Sequence, residues 1–402
     1  MQRLTTPKKY FALCPEVYLV EGYSKHCFYD LANGNLYSIN DDAKNFVRDL
    51  IQGGTIFDNL TADQQEFLGS LNDNKLLRRM EKPGKLPNIT DLINEYFLEF
   101  AWVEVTRKCN NNCHFCYAKS SSKCSNTMNV GDFFTVRDEL EKIGVKRIQF
   151  IGGEPLLLGE DLKKMITSCG ENFTFIEIFS NGTLIDDKWC EFFKKYNLHI
   201  ALSVHSYLPE EHDRTTRTKG SHARTTQAIS LLQKYEIKYR LATIKTAQCN
   251  VGEKPENCFY DLHTSNVRLV GRGNIDQYDF DMFKSKAITK RTMTKKLYQN
   301  TIRKNVSGHK CFLKNLYIAS NLDVFPCVME RRFKHGNLRK NGLDKIIKQN
   351  IRTLNKDKIE GCMDCEYRYA CYDCRPDSNG NGKYAKPWYC TYDPYSGLGR
   401  SH

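Results

Sequence analysis

No run of 18 apolar residues occurs in this 402-residue chain, so the sequence offers no membrane-spanning helix. Met1–Phe11 carries Lys8 and Lys9, but no apolar core follows them, and a secretory signal is not expected. The expected location is therefore the cytoplasm. No repeat of solenoid period and no low-complexity tract is visible. With 11 prolines, 25 glycines, 40% hydrophobic and 27% charged residues, collagen-like, coiled-coil and wholly disordered chains are excluded. Gly399-Arg400-Ser401-His402 reads as the remnant of an affinity tag.

Cysteine, by contrast, is plentiful: there are 17. Without a secretory signal, metal binding or catalysis is a better expectation than disulfides. Cys14, Cys27, Cys124, Cys169, Cys190, Cys249 and Cys258 are scattered and read mostly as small buried hydrophobes. The other ten form two groups. The net charge of +13 suits an acidic partner, whether nucleic acid, anionic peptide or phosphorylated ligand. Lys284–Lys304 is a local basic concentration, readable as a solvated helix face or as a binding patch.

The length predicts about two to three domains. In residues 1–85, Glu16–Val20 and His26–Asp30 are strand-like, and Asn33-Gly34-Asn35 turns the chain into Leu36–Ile39. Asp41 or Asp42 can cap a helix through Ala43, Phe46, Val47, Leu50 and Ile51, which Gly53-Gly54 stops. Another short helix covers Ala62–Leu71, and Met80–Pro87 reads as a linker. From about 98 to 275 strands and helices alternate. The strands are Trp102–Val105, Arg147–Ile151, Phe175–Phe179, Ile200–Val204, Tyr239–Ile244 and Val267–Val270. Helical stretches include Phe133–Ile143, Leu162–Ser168 and Ala223–Tyr235. This βα series implies a parallel sheet, open or barrel-like, with its site at the strands' C-terminal ends. Residues 308–398 are rich in Cys, Tyr, Gly and Asp but poor in periodic helix, so metal crosslinks would have to supply stability.

Cys109-x3-Cys113-x2-Cys116 follows the first strand of the series. Three thiolates are one short of the four that close a four-iron cube or a structural zinc site. A cube held by three leaves one iron open to a substrate or cofactor. The competing reading is zinc, completed by His114 or a distant residue. The spacing, with Phe115 before the last cysteine, resembles the hallmark of radical S-adenosylmethionine (radical SAM) enzymes. The resemblance continues through Gly152-Gly153-Glu154-Pro155 after the second strand and Ser180-Asn181-Gly182-Thr183 after the third. Ser203 and His205 end the fourth, and His212-Asp213, Thr216-Arg217 and Gly220-Ser221 follow. It implies that Cys109, Cys113 and Cys116 hold a [4Fe–4S] cluster. It also implies that Phe115, Tyr117, Gly152, Gly153, Glu154, Ser180, Asn181, Ser203 and Arg217 surround S-adenosylmethionine. Within it, the glycines admit backbone carbonyls to the methionyl amine, Glu154 adds a negative charge, and Arg217 meets the carboxylate. No residue is identified as a catalytic acid or base.

The second group is Cys311-x15-Cys327, then Cys362-x2-Cys365-x5-Cys371-x2-Cys374-x15-Cys390. Zinc knuckles are one reading. The group also closely resembles the SPASM domain of peptide-modifying radical enzymes, which holds two auxiliary [4Fe–4S] clusters. That resemblance assigns Cys362, Cys365, Cys371 and Cys390 to one cluster, and Cys311, Cys327 and Cys374 to the other. The last short gap is x2 rather than x3, and no cysteine follows in Phe312–Leu316. The second set thus has an open iron unless Cys249 or Cys258 fills it. The layout of residues 1–85 resembles a winged-helix-like leader-peptide recognition element, which binds a leader as an added strand.

Together these resemblances imply an α/β protein. It has a partial (β/α)6 TIM-like barrel (98–300), an N-terminal leader-recognition module (1–85) and a C-terminal iron–sulfur SPASM domain (308–398). They imply a maturase of ribosomally made peptides. An electron cleaves S-adenosylmethionine to a 5′-deoxyadenosyl radical, which takes hydrogen from a precursor peptide. A crosslink follows, in first place a cysteine thioether of sactipeptide or ranthipeptide type. Carbon–carbon crosslinking and formylglycine formation on sulfatases are the enzymatic alternatives; a non-catalytic nucleic-acid binder rests on the basic charge alone. The partners implied are a precursor peptide with its leader and a reductant such as flavodoxin or ferredoxin.

Overall fold

In a computed structural model the described residues are 9–53, 59–93, 98–279, 288, 299–350, 354–371, 374–378 and 382–399. The basic stretch 284–304 falls mostly outside them, as do residues 400–402. Among the described residues no helix is long and apolar enough to cross a membrane.

The N-terminal segment pairs β1 (Tyr10–Leu13) with β5 (Leu77–Met80), and builds a meander of β2 (Val17–Glu21), β3 (His26–Asp30) and β4 (Asn35–Ile39). Met80 therefore closes a strand, and the linker begins after it. Helix α1 (Asp41–Arg48) is capped by Asn40, whose side chain accepts from Ala43 N; Asp41 and Asp42 instead fill the first turn. One wider turn, Asp49–Gly53, ends it. Helix α2 (Ala62–Asp73) starts with a Thr61–Gln64 capping box. β3 is buried along its whole length because both faces are covered. Phe28 packs on Val47, Leu50 and Leu68, while Cys27 and Tyr29 pack on Cys365, Tyr367 and Cys371 of the C-terminal segment.

The main sheet has six parallel strands in chain order: β6 (Phe100–Thr106), β7 (Arg147–Gly152), β8 (Phe175–Ser180), β9 (His199–Ser203), β10 (Tyr239–Lys245) and β11 (Thr264–Asn266). Helices α3 (Val130–Lys142), α4 (Glu160–Ser168), α5 (Asp187–Lys195), α6 (Pro209–Thr216) and α7 (Ser221–Lys234) fill the first four crossovers. Ile148 and Phe150 of β7 face Phe133, Val136 and Leu140 of α3, whereas Gln149 and Ile151 face the concave side. Burial on both faces is what a parallel strand requires.

The (β/α) repeat decays after β10. Residues 246–263 contain no helix, and the sixth strand is Thr264–Asn266 rather than Val267–Val270. The apolar run folds as a turn, closed by Val270 N to Arg268 O and Gly273 N to Val270 O. The barrel is open.

The sheet then grows at its other edge. β12 (Asn315–Ile318) lies parallel to β6, and β13 (Asp323–Phe325) and β14 (Gly336–Asn337) follow antiparallel. Helix α8 (Gln299–Ser307) packs through Ile302 and Val306 in the cluster that also holds Val20, Ile89 and Leu92, while α9 (Leu343–Asn350) packs against the extension, with Ile346 over Gly336. The cysteine-rich segment is thus not an appendage but shares the main sheet.

Its seam with β6 is polar. Glu104, 1% exposed, accepts from Tyr317 Oη at 2.6 Å, Ser320 Oγ at 3.0 Å and Arg331 Nη2 at 3.1 Å. Arg331 also donates to Tyr317 Oη at 2.7 Å. A buried ion pair gains little over an apolar pair, but removing one partner strands the other charge. Glu104→Ala is expected to cost about 3 kcal/mol or more in urea-denaturation stability. A cost below about 1 kcal/mol would show the seam to be incidental.

Candidate functional site

β6 delivers the chain into a long loop that must double back over the sheet. Arg107 N bonds Asn126 O at 2.8 Å and Cys109 N bonds Ser121 O at 3.1 Å, folding the loop on itself. The end of β7 then grips it: Gly153 N donates to Thr106 O at 2.7 Å and Glu154 N to Lys108 O at 2.9 Å. A Cβ on Gly152 would lie 1.9 Å from Thr106 O, and one on Gly153 would lie 2.1 Å from Lys108 O. Gly152 also has φ +147°. Only glycine permits this approach.

Two other supports converge. Asn112 N and His114 N donate to Thr216 O and Thr215 O at the end of α6. Arg272 comes from the turn after β11. Its backbone N bonds Cys116 O at 3.0 Å, its Nε bonds Cys113 O at 2.8 Å, and its Nη2 bonds Ser120 O at 2.9 Å. Gly271 has positive φ and its absent Cβ would meet Cys116 O at 2.4 Å. Sequence reasoning missed Arg272; the Gly271-Arg272-Gly273 triplet was its only signal.

Under the loop lies a cavity of about 320 Å³. Cys109, Cys113 and Cys116 line it, together with Phe115, Tyr117, Gly152, Gly153, Ser180, Asn181 and Ser203. His205 also lines it, edge-on to Phe115, and burial pushes its pKa down to about 3, so the ring is neutral. Two expected residues lie elsewhere. Glu154 is fully buried behind the wall. It accepts from Ser180 Oγ and Asn181 N at 2.8 Å and from Leu156 N at 3.1 Å, which ties the end of β7 to the end of β8. Burial raises its pKa to about 7 against the pull of those three donors. Arg217 caps α6 with φ +51° and lines a separate cavity on the loop's outer side.

Burial pushes the Cys109 thiol up to about 12 and raises Cys113 as well, so binding a metal there must displace protons. Among the described residues, no three His, Cys, Asp or Glu side chains converge on one ion. The three thiols instead share a chamber. Asn111 Oδ1 and Ser120 Oγ, on residues 3% and 2% exposed, line it without a hydrogen-bond partner. Soft donors around a chamber with two orphaned polar atoms fit a bulky metal–organic group better than a single cation. The floor is polar: the exposed Arg240 holds the buried Glu177 by two bonds of 2.9 and 2.8 Å, and the buried Gln149 donates through Nε2 to the same carboxylate.

The second cysteine field abuts this chamber. The β12–β13 hairpin brings Cys311 and Cys327 to one apolar cluster with Phe312, Phe333 and Ile359, and Cys362 joins them there. Burial, then the neighbouring Cys311, raises Cys327 to about 11. Burial, with smaller contributions from Glu366, Cys371 and Cys362, raises the pKa of the Cys365 thiol. Cys371 and Cys390 pack in the tyrosine-rich cluster that includes Cys27 and Tyr29 of β3, while Cys374 is half-buried beside the short turn Arg375–Ser378. Beyond Cys327, Val328 and Met329 reach the first cavity, and Tyr117 packs with all three. Cys249 bonds the His205 carbonyl and Cys258 the Tyr260 carbonyl. Of the scattered cysteines, Cys27, Cys169, Cys190 and Cys249 are buried; Cys14, Cys124 and Cys258 are half-buried.

Residues 103–246 match the Radical SAM superfamily. The antilisterial bacteriocin subtilosin biosynthesis protein AlbA of Bacillus subtilis (strain 168) is 25% identical over 209 residues, which is 50% of this chain and 46% of that protein. The chain thus spans about half the length of that relative. Among solved structures, Streptococcus suis SuiB bound to precursor peptide SuiA superposes with a TM-score of 0.56 at 14% identity, covering 94% of this chain and 99% of that one. The structure of anSMEcpe with bound AdoMet and Cp18Cys peptide gives 0.52 at 16% identity, covering 74% and 95%. At these identities the two structures establish the fold: an open, barrel-like parallel sheet.

Gly153→Ala is expected to lift the cysteine loop off β7. Anaerobic reconstitution should then recover less iron per chain than wild type. Gly69→Ala, in α2 with nothing near its Cβ, should leave the iron content unchanged. Equal iron in both variants would show that the close approach does not hold the site.

Proposed function

We propose that this chain, whose residues 103–246 form a radical SAM domain, is a radical peptide maturase that crosslinks a precursor peptide. The observation that carries the reading is the single chamber at the ends of β6–β9 where three thiols, two glycines and Ser180, Asn181 and Ser203 meet. Cys109, Cys113 and Cys116 are the thiolate set for one [4Fe–4S] cluster. When bound, such a cluster with S-adenosylmethionine supplies a 5′-deoxyadenosyl radical able to take hydrogen from unactivated carbon.

The chain's own residues do the rest. Gly152 and Gly153 hold the cysteine loop at backbone contact, and Arg272 fixes the carbonyls of Cys113 and Cys116. Asn111 and Ser120 offer the bound cofactor an amide oxygen and a hydroxyl that have no other partner. Glu154 acts from behind, by locking Ser180 and Asn181 in place. Trp102, Phe115, Phe179 and Met329 exclude water, which a carbon radical requires.

Cys362, Cys365, Cys371 and Cys390 form one auxiliary ligand set and Cys311, Cys327 and Cys374 the other. A set of three favours thioether formation, because an open iron can take the substrate's sulfur; a complete set would favour a carbon–carbon crosslink. Residues 1–85 would hold the leader, with β4 as the partly exposed edge strand. Their shared core with Cys365 and Cys371 supports a module that takes part in the cysteine field rather than a detachable one. AlbA's role in subtilosin biosynthesis and SuiB's binding of SuiA support a peptide substrate. The bound AdoMet of anSMEcpe supports the cofactor.

Reconstituted under exclusion of oxygen, the chain should hold about 12 irons in three cubes. Replacing Cys109, Cys113 and Cys116 by Ala should remove about a third of that iron and abolish 5′-deoxyadenosine formation with dithionite and S-adenosylmethionine. Cofactor cleavage retained by the triple variant would refute the assignment.

A further inference from the structure

The concave face of the sheet holds a second cavity, at the opposite end of the strands from the chamber. Its volume is about 380 Å³. Five parallel strands each contribute their first residue to it: Phe100 of β6, Arg147 of β7, Phe175 of β8, His199 of β9 and Tyr239 of β10. Trp102, Gln149 and Arg240 line both cavities, so the two share a boundary. Arg147 and Arg240 are exposed, and the lower cavity is open to solvent there. The chamber, at about 320 Å³, is near the lower limit for a pocket that takes one small molecule. With a cofactor in it, the adjoining space on the concave face is the lower cavity.

One arginine sets the chemistry of this space. Strand register places Arg147 between Phe100 and Phe175. Its guanidinium carbon lies 4.6 Å from the centroid of the Phe175 ring and 6.0 Å from that of Phe100. Two rings thus orient the group by cation–π attraction. Its side chain has no ion-pair or hydrogen-bond partner among the described residues. Glu177 is the one acid among the lining residues, and Arg240 and Gln149 already hold it. Burial, then Lys238, lower the pKa of His199, which leaves its ring neutral at pH 7. Two guanidiniums against one carboxylate give the lining one positive charge in excess. A planar guanidinium beside aromatic surface matches a carboxylate on a short apolar stem.

We propose that the lower cavity is a specificity subsite for a carboxylate of the substrate peptide, held by Arg147, with Phe100, Trp102 and Phe175 against its stem. This rests on the peptide-maturase reading above and deepens it: the substrate carries an acidic side chain, or its C-terminus, close to the segment that reacts. Binding is non-covalent and changes no oxidation state. Arg147 and Ile151, which lines the chamber, are separated by about 13 Å along β7. In an extended peptide the carboxylate therefore belongs about four residues from the reacting one.

The test uses the reconstituted chain and photoreactive probes of the form acetyl-photoleucine-Gly-X-Gly-amide, with Glu, Gln or Lys at X. A further probe has Gln at X and a free C-terminal carboxylate in place of the amide. After irradiation, digestion and mass spectrometry locate the adducts. A carboxylate probe should label Phe100, Trp102, Phe175 or Tyr239 about fivefold or more above the neutral Gln amide, and the Lys probe should label least. The stronger of the two carboxylate probes identifies the source as side chain or C-terminus. Arg147→Gln should remove the preference, and Arg147→Lys should restore part of it. Wild-type iron content shows that a variant is folded, and the comparison of probes on the wild type stands without variants. Equal labelling of the cavity by the carboxylate probes and the neutral amide overturns the proposal. So does a carboxylate preference that Arg147→Gln leaves intact, or adducts confined to residues outside the cavity. Failure of the maturase reading is distinguishable. Carboxylate-dependent labelling would persist, while the reconstituted chain would form no 5′-deoxyadenosine with dithionite and S-adenosylmethionine.

Discussion

The site depends on one close backbone contact. The carbonyls of Thr106 and Lys108 sit against Gly152 and Gly153 so tightly that a single methyl group at either glycine would collide with them. Two amide bonds, from Gly153 and Glu154, convert that proximity into register. Everything above the sheet inherits its position from this contact. The cysteine loop continues from Lys108, and Glu154 then reaches across to Ser180 and Asn181. A loop alone would not hold three thiols around a chamber, because thiols buried to this degree resist ionisation and gain nothing from mutual proximity. The scaffold supplies the order in advance, at a cost met by the packed strands below.

The second constraint is continuity of the sheet. β12 docks on β6 one strand away from the cysteine loop, and the Glu104–Tyr317–Arg331 seam makes that docking a matter of charge as well as of hydrogen-bonded pairing. The hairpin that follows ends at Cys327, and the next two residues enter the chamber wall. Cys311 and Cys327, at the two ends of this hairpin, are therefore placed by the same sheet that carries the first cysteine loop. Groups positioned by a β-sheet are less subject to thermal motion than groups carried on loops.

Much of the fold is legible in the sequence, and the exceptions share a cause. β6 to β9 stand out because strands buried on both faces read as mainly apolar runs, whereas β10, with only Thr243 buried, shows through its β-branched and aromatic residues. Val267–Val270 misleads because three apolar residues in a run of four carry no information about direction: Gly271 and Gly273 bend it into a turn, and the pairing shifts to Thr264–Asn266. β5 is hidden because three of its four residues are exposed and two are arginines. At the candidate site, the three cysteines, the glycine pair and Ser180-Asn181, singled out by residue type at a set spacing, line one cavity. Residues that act by reaching across the fold are not singled out in this way. Arg272 lies more than 150 positions from the loop it braces, and no local pattern announces it. Glu154 and Arg217 illustrate the converse. Their residue types suggest direct contact with a cofactor, yet the geometry puts one behind the wall and the other outside the loop.

The N-terminal sheet adds a last step. β3 is sandwiched between its own helices and the cysteine-rich segment, so its two faces report to different partners. Tyr29 Oη bonds the Glu366 carbonyl at 2.9 Å, and Gly22 is pressed so closely on Asp364 and Glu366 that a side chain there would collide with both. Both contacts fall on the turn that carries Cys362 and Cys365. An antiparallel strand pair transmits displacement along its hydrogen bonds more readily than across a loop. Any strand added at the β4 edge would therefore pull on the same three-stranded unit that forms one wall of the cysteine field. In such an arrangement the N-terminal sheet and the cysteine-rich segment are coupled by packing.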